Sequence, residues 1–312
     1  MSEQDPAAVG LCGLGNMGSA VASRLAAARP VVAYDPDGAR ATAVVEAYGL
    51  TRARDLAEVA AAGTVVLSLP APAISQQEVE ALVPSMRPGG LIIETSTVNP
   101  ADMWRMRAAC EERSVRLVDA AILSGVQQMY DGCSTLLVGG ADEDVELARP
   151  VLDALTPRQV RFGPVGSGMA AKVINNAVAH AVMVVLVEAG AMAAATGVPG
   201  EAIVDLLSGP EAGLTRPLTH RFAERILRGD YEGGMPTEAA RKDSVLALEL
   251  ARDSGVPLFA TQAAHTVYEI AAGGDLARED YASIAKLWEE WTGRPLAAPL
   301  TIQNGGGSVS RS

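Results

Sequence analysis

Three glycines, Gly13, Gly15 and Gly18, sit in the stretch VGLCGLGNMGSAVASRL, between an apolar run from Val9 to Cys12 and a segment of helical character. A tight strand-to-helix turn needs one residue without a Cβ. A backbone that approaches a pyrophosphate needs a second, and close packing of helix on strand needs a third. The spacing supplies them in that order, and the helix that follows aims its free N–H groups and positive dipole end at phosphates. Alone, the G-x-G-x-x-G spacing is weak evidence in an alanine-rich chain. Its context is stronger, because a second apolar run ends in Tyr34 and Asp35, twenty residues after Gly15. A carboxylate there accepts hydrogen bonds from the adenine ribose hydroxyls and repels a 2′-phosphate, so NAD is favoured over NADP. The expected cofactor contacts are Gly13, Leu14, Gly15, Asn16, Met17 and Gly18 in the loop, with Tyr34 and Asp35 at the strand end. Arg40 is read as a solvated surface arginine.

The same alternation continues. Short β-branched runs recur at Val31 to Asp35, Val65 to Leu69, Leu91 to Thr95, Val115 to Asp119 and Leu136 to Val138, with helical stretches between them. Runs apolar throughout, rather than at every second residue, belong to strands covered by helices on both faces. An α/β fold follows, a doubly wound, Rossmann-type parallel sheet. Past Phe162 the β-branched runs stop and long helical stretches take over, so an all-α domain built on a long central helix follows the sheet. The expected division is a dinucleotide-binding domain at 1–164, an all-helical substrate and dimerisation domain at 165–302, and a disordered glycine- and serine-rich tail at 303–312.

Composition limits the partners. The 312 residues are 49% hydrophobic and 20% charged, ample apolar surface for two folded cores. A formal charge of −12 with no basic cluster predicts neither a nucleic-acid nor an anionic-membrane partner. Three cysteines without ligand spacing, and histidines equally without it, predict reduced thiols and no metal site. The first ten residues contain acidic side chains and no apolar core, so a cytoplasmic location is expected. The stretch Ala177 to Ala195, broken by His180 and Glu188, suits a helix buried in protein better than one in lipid. Met169 to Thr196, apolar on nearly every side, reads as enclosed by neighbours. Near the end, Ile284, Leu287, Trp288 and Trp291 form a stripe expected to dock on its domain.

Chemistry enters at GPVGSGMAAKVINN. Lys172 and Asn176 are i, i+4 neighbours on one helix face, with Asn175 beside them, so an amine and an amide can converge on one small molecule. Desolvation in so apolar a helix would lower the lysine's pKa and make it a usable proton donor and acceptor. The alternative is a lysine that snorkels to solvent while Asn176 caps a backbone group. His180 is read as a hydrogen-bonded structural residue, His220 with Arg216 and Arg221 as surface, and Cys12 as core.

Together these stretches resemble the β-hydroxyacid dehydrogenases, which include 3-hydroxyisobutyrate dehydrogenase and tartronate semialdehyde reductase. The likeness runs from Val9 to about Trp291 through GLGNMG, LSLPA, the ETST of Glu94 to Thr97, DGCSTLLVGG, GSGMAAKVINN and RKDSVLALELA. The resemblance implies that Lys172 is the general acid/base, that Asn176 holds the substrate, and that Leu69, Pro70, Ala71, Ser96 and Thr97 touch the cofactor. It also implies that Lys242 and Asp243 lie near the nicotinamide side of the cleft, though as an exposed helix pair they would contribute only tenths of a kcal/mol. A homodimer or higher homo-oligomer and a small hydroxy acid or carbonyl substrate are further implications.

One departure matters. The family's substrate loop reads D-A-P-V-S-G-G, and this chain has D-A-A-I-L-S-G at Asp119 to Gly125, so Leu123 stands where the family has a serine. Either Ser124 takes over, or the N–H groups of Ser124 and Gly125 hold a carboxylate, or Leu123 faces a less polar group. The family's aromatic residue before the KD pair is also missing, with glycines of YEGGM in its place. Two rival functions stand beside the dehydrogenase. An imine reductase has a similar first domain but generally lacks a lysine at the position of Lys172. A non-catalytic dinucleotide-binding scaffold predicts a damaged lysine or an appended domain.

Overall fold

The computed structural model describes residues 7–297. The chain forms two compact units, Met1–Ala177 and Val178–Ser312. The division falls inside a helix, whereas the sequence places a boundary before that helix, at 164/165. The expected tail at 303–312 lies outside the described residues.

The first unit is built on eight strands: β1 (Val9–Cys12), β2 (Val31–Tyr34), β3 (Thr51–Arg52), β4 (Thr64–Leu67), β5 (Leu91–Glu94), β6 (Arg116–Leu123), β7 (Thr135–Gly139) and β8 (Arg158–Gly163). They lie in the order β3-β2-β1-β4-β5-β6-β7-β8, all parallel except for the antiparallel β6–β7 pair. Between them run α1 (Asn16–Ala26), α2 (Gly38–Tyr48), α3 (Leu56–Ala60), α4 (Pro72–Leu82), α5 (Pro100–Glu111), α6 (Val126–Tyr130) and α7 (Asp142–Leu155). Successive strand side chains point to opposite faces. Leu11, Val66, Leu91, Ile93 and Val118 therefore fill one core with α1 and α7. Cys12, Val65, Leu67, Ile92 and Leu117 fill the other with α4 and α5. Burying each such leucine, valine or isoleucine contributes about 1.5–3 kcal/mol.

Two strands escape the apolar-run criterion. β3 has two residues, both exposed, and β8 is a polar edge strand with Phe162 open to solvent. Side chains set the helix starts. The Asp37 carboxylate accepts from Ala39 N and Arg40 N at the head of α2, and Asp55 accepts from Glu58 N at the head of α3.

α8 (Ser167–Thr196) leaves the first unit, and α9 (Gly200–Ser208), α10 (Thr237–Asp253), α11 (Ala260–Gly273) and α12 (Ala285–Thr292) follow. The buried Glu188 of α8 accepts from the backbone N–H groups of Phe259, Ala260 and Thr261, satisfying the start of α11. Buried Asp280 takes Arg221 Nε at 3.1 Å and Arg225 Nε at 3.7 Å, and the Arg221 guanidinium lies over the Tyr281 ring.

Here several expectations are corrected. Arg221 is buried in this ionic cluster and is not surface, while His220 pairs with Glu224 and Arg216 with Glu211. The stripe is not the buried face of this segment: Ala282, Ser283 and Ala285 are buried, Ile284 and Leu287 are half-buried, and Trp288 and Trp291 stay exposed. Among the described residues α8 is not enclosed: Ile174, Val178 and Val187 are 64%, 59% and 59% exposed, and His180 is exposed too. Among the described residues it is the one helix long and apolar enough to cross a membrane. It nonetheless carries Lys172, Asn175, Asn176, His180 and Glu188 along its length.

Candidate active site

Register brings the quoted motifs to one edge of the sheet. Cys12 pairs with Tyr34 and Leu67, Leu67 with Glu94, and Glu94 with Asp119, so β1, β2, β4 and β5 end at one level. Strand order reverses between β1 and β4, and in an open α/β sheet ligands bind beyond the strand carboxyl ends at such a point.

The glycine loop has the three expected properties. Gly13 has φ +91°, and a Cβ there would meet Ser68 O at 2.2 Å. A Cβ on Gly18 would meet Gly13 O at 2.1 Å, so helix and turn touch through bare backbone. Around Gly15 a Cβ would meet nothing within 4 Å, which leaves open space where a phosphate can approach the start of α1. Asn16 is exposed beside it, and Met17 is partly buried against the core. Leu14 sends its side chain into the core, and its N–H donates to Asp35 Oδ2 at 2.8 Å. Asp35 is buried and also accepts from Asp37 N at 2.9 Å and from the Arg40 guanidinium at 3.3 Å. Arg40 is exposed, as a surface arginine is expected to be, and pairs with Asp35 and Asp37.

The next two loops are tied together. Leu69 N donates to Ser96 Oγ at 2.7 Å, and Ser96 N donates to Glu94 Oε1 at 2.7 Å. Pro70 and Thr97 are exposed and Ala71 half-buried around this link. Glu94 is fully buried, and burial, helped by the neighbouring charge of Asp119, pushes its carboxyl up to about 7 against the hydrogen bonds from Ser96. The Cys12 thiol, beside Glu78 and buried, is pushed well above its ordinary range and stays unreactive.

Asp119 joins the edge to the next helix. Its Oδ1 accepts from Gly166 N at 2.7 Å and its Oδ2 from Met169 N at 2.9 Å, so one buried carboxyl holds the first turn of α8. A Cβ on Gly168 would lie 2.8 Å from that carboxyl and 2.3 Å from Leu137 O, hence the glycine. One turn on, Lys172 is half-buried, and burial alone lowers its pKa, with no carboxylate among the described residues holding it charged. Asn176 lies one further turn along, with Asn175 Nδ2 at 3.4 Å from its Oδ1.

β6 runs four residues beyond Asp119 to Leu123, which packs against the same apolar cluster as Met169 and Ala171 of α8. Two of the donors left to this loop by the sequence are engaged: Ser124 Oγ lies 2.5 Å from Ser134 Oγ, and Gly125 N donates to Gln128 Oε1 at 2.6 Å. Lys242 and Asp243 belong to the second unit, where their side chains form an exposed pair at 3.0 Å on α10. Asp119, Glu94 and Gln128 escape the sequence reading. For Asp119 the only signal is its place at the head of the substrate-loop motif.

Comparison with known proteins agrees with this geometry. The family profile described as NAD binding domain of 6-phosphogluconate dehydrogenase matches residues 8–166. A second, described as NAD-binding of NADP-dependent 3-hydroxyisobutyrate dehydrogenase, matches 166–288. The chain is 29% identical over 290 residues to 2-(hydroxymethyl)glutarate dehydrogenase of Eubacterium barkeri, covering 91% of this chain and 96% of that one. It is 28% identical to NAD-dependent L-serine dehydrogenase of Pseudomonas aeruginosa, covering 92% and 99%. An imine reductase structure from Pseudomonas sp. superposes with a TM-score of 0.80 over 91% of this chain and all of that one, at 22% identity, a likeness of fold. With the glycine cradle, the LSLPA and ETST loops and the lysine helix in family order, the chain belongs to the β-hydroxyacid dehydrogenases and is an NAD(P)-dependent oxidoreductase acting on a CH–OH group.

Proposed function

We propose that the chain transfers a hydride between NAD and a β-hydroxy acid or related alcohol, with Lys172 as the general acid and base. The observation that carries this reading is Lys172 itself, half-buried with no counter-ion among the described residues, on a helix whose first turn is fixed by Asp119. When bound, the nicotinamide accepts the carbinol hydride in oxidation and returns it in reduction. Gly13 to Gly18 would hold the pyrophosphate, Asp35 the adenine ribose, and the linked loops at Leu69 and Ser96 the remainder.

In oxidation, neutral Lys172 takes the proton of the substrate hydroxyl and releases it to solvent, so carbonyl, reduced cofactor and one proton balance the alcohol consumed. In reduction, its ammonium gives that proton to the developing alkoxide and stabilises the charge as it forms. Asn176, on the same helix face, would orient the reacting oxygen. The buried Asp35 carboxylate at the end of β2 supports NAD, because a carboxylate at this place in the motif repels a 2′-phosphate.

Lys172→Ala is expected to lower kcat by about 10²–10⁴, the usual contribution of a general acid or base, with NADH affinity retained. Absorbance of reduced cofactor, with NAD and NADP in parallel over a panel of hydroxy acids and alcohols, measures both points. Unchanged kcat in the variant removes Lys172 from the chemistry, and a clear preference for NADP removes the role given to Asp35. Reduction of a C=N bond is the second reading, favoured by Leu123 in place of a hydroxyl. A cyclic imine assayed with both reduced cofactors separates the two.

The exposed apolar residues of α8 support a further proposal, that a second copy of the chain covers this helix. Its 30 residues span about 45 Å, and an apolar surface of that length is normally buried in an interface.

A further inference from the structure

We propose that the loop ending β6 receives an uncharged, apolar part of the substrate and not a carboxylate, and that Gln128 sets this preference. The inference rests on the reading that this loop faces the substrate beside Lys172.

Three observations point the same way. A carboxylate leaves water only where donors replace its hydration, and N–H or O–H groups at a loop are the usual replacement. Here Ser124 Oγ is paired with Ser134 Oγ at 2.5 Å across the β6–β7 hairpin. The Gly125 N–H is taken by Gln128 Oε1 at 2.6 Å, so a carboxamide from the chain itself already occupies this donor.

The third observation is what the loop offers instead. Leu123, the last residue of β6, packs on the cluster that also receives Met169 and Ala171 from the first turns of α8. The apolar residue thus packs on the same cluster as the first turns of the helix that carries Lys172. Between Leu123 and Tyr130 there is no lysine or arginine to attract an anion, and the chain's charge of −12 adds no long-range attraction. An acid held at the Gly125 N–H must displace the Gln128 carboxamide. A neutral ester, ketone, amide or alkyl group leaves that bond intact and gains contact with Leu123.

The test compares wild type, Gln128→Ala and Gln128→Glu on 3-hydroxy acids of increasing chain length and their methyl esters, followed by formation of reduced cofactor. NADH binding by fluorescence reports on each variant's fold. Wild type is expected to favour ester over acid at least tenfold in kcat/KM. Gln128→Ala frees the Gly125 N–H and should move the ratio toward the acid by about three- to tenfold, the worth of one hydrogen bond. Gln128→Glu keeps an acceptor on Gly125, adds negative charge, and should move the ratio away from the acid. A wild type that favours the acid, or a ratio that neither substitution moves, overturns the inference and leaves the dehydrogenase reading standing. No turnover of any member of the series by wild type overturns both.

Discussion

At the scale of single residues, the glycine loop separates two roles that one motif combines. Gly18 is required by the fold, since a Cβ there would stand 2.1 Å from Gly13 O, whereas Gly15 has open space around it. Gly18→Ala should therefore destabilise the chain by about 1–3 kcal/mol through overpacking, seen as a lower Tm. Gly15→Ala should leave Tm near wild type and weaken NADH binding tenfold or more, because its methyl group occupies the phosphate's approach. Equal loss of stability in both variants would contradict this division. The glycine spacing and Asp35 were legible in the sequence because turn geometry and ribose recognition are local demands. The partner of Arg40 was not, since a side chain five residues along a helix start reaches solvent or strand end equally well. Nor was the capping of Gly125 by Gln128, which depends on a five-residue helix with little sequence pattern.

At the scale of elements, the central connection is the one between β6 and α8. Both oxygens of Asp119 accept N–H groups from the helix start, so the strand that leads to Leu123 and the helix that carries Lys172 are set by one carboxyl. Asn at this position offers one acceptor and turns an NH2 toward the other N–H, leaving a buried donor unmatched. Asp119→Asn should cost about 1–3 kcal/mol of stability and lower kcat tenfold or more through misplacement of Lys172, with the NADH Kd within twofold of wild type. Circular dichroism melts, steady-state kinetics and NADH fluorescence check the three quantities. A loss of cofactor affinity equal to the loss of kcat would show that the carboxyl supports the whole edge, not the helix. Six strands were legible because burial on both faces makes them apolar throughout. β3 and β8 were missed because an edge strand meets solvent and need not be apolar. The antiparallel direction of β7 was hidden because a strand's direction leaves no mark on its composition.

At the scale of the whole molecule, the sequence reads α8 as enclosed, and the described residues leave much of it open. Apolar periodicity records that a surface is buried somewhere and says nothing about which chain buries it. Static light scattering is expected to give at least twice the 32.2 kDa of one chain, and Val187→Glu to shift the protein toward monomer. A monodisperse monomer at micromolar concentration would contradict the second copy on α8. The account as a whole depends on the amine of Lys172, whose pKa is lowered by burial. Oxidation needs the neutral amine and reduction its protonated form. kcat/KM for oxidation should therefore rise, and for reduction fall, as pH increases through one apparent pKa below lysine's usual 10.5. That paired pH profile, measured on wild type and Lys172→Ala, is the most direct test. The expected result is opposite slopes in wild type and their loss, with most of the rate, in the variant; the same two slopes at wild-type rates in Lys172→Ala would contradict it.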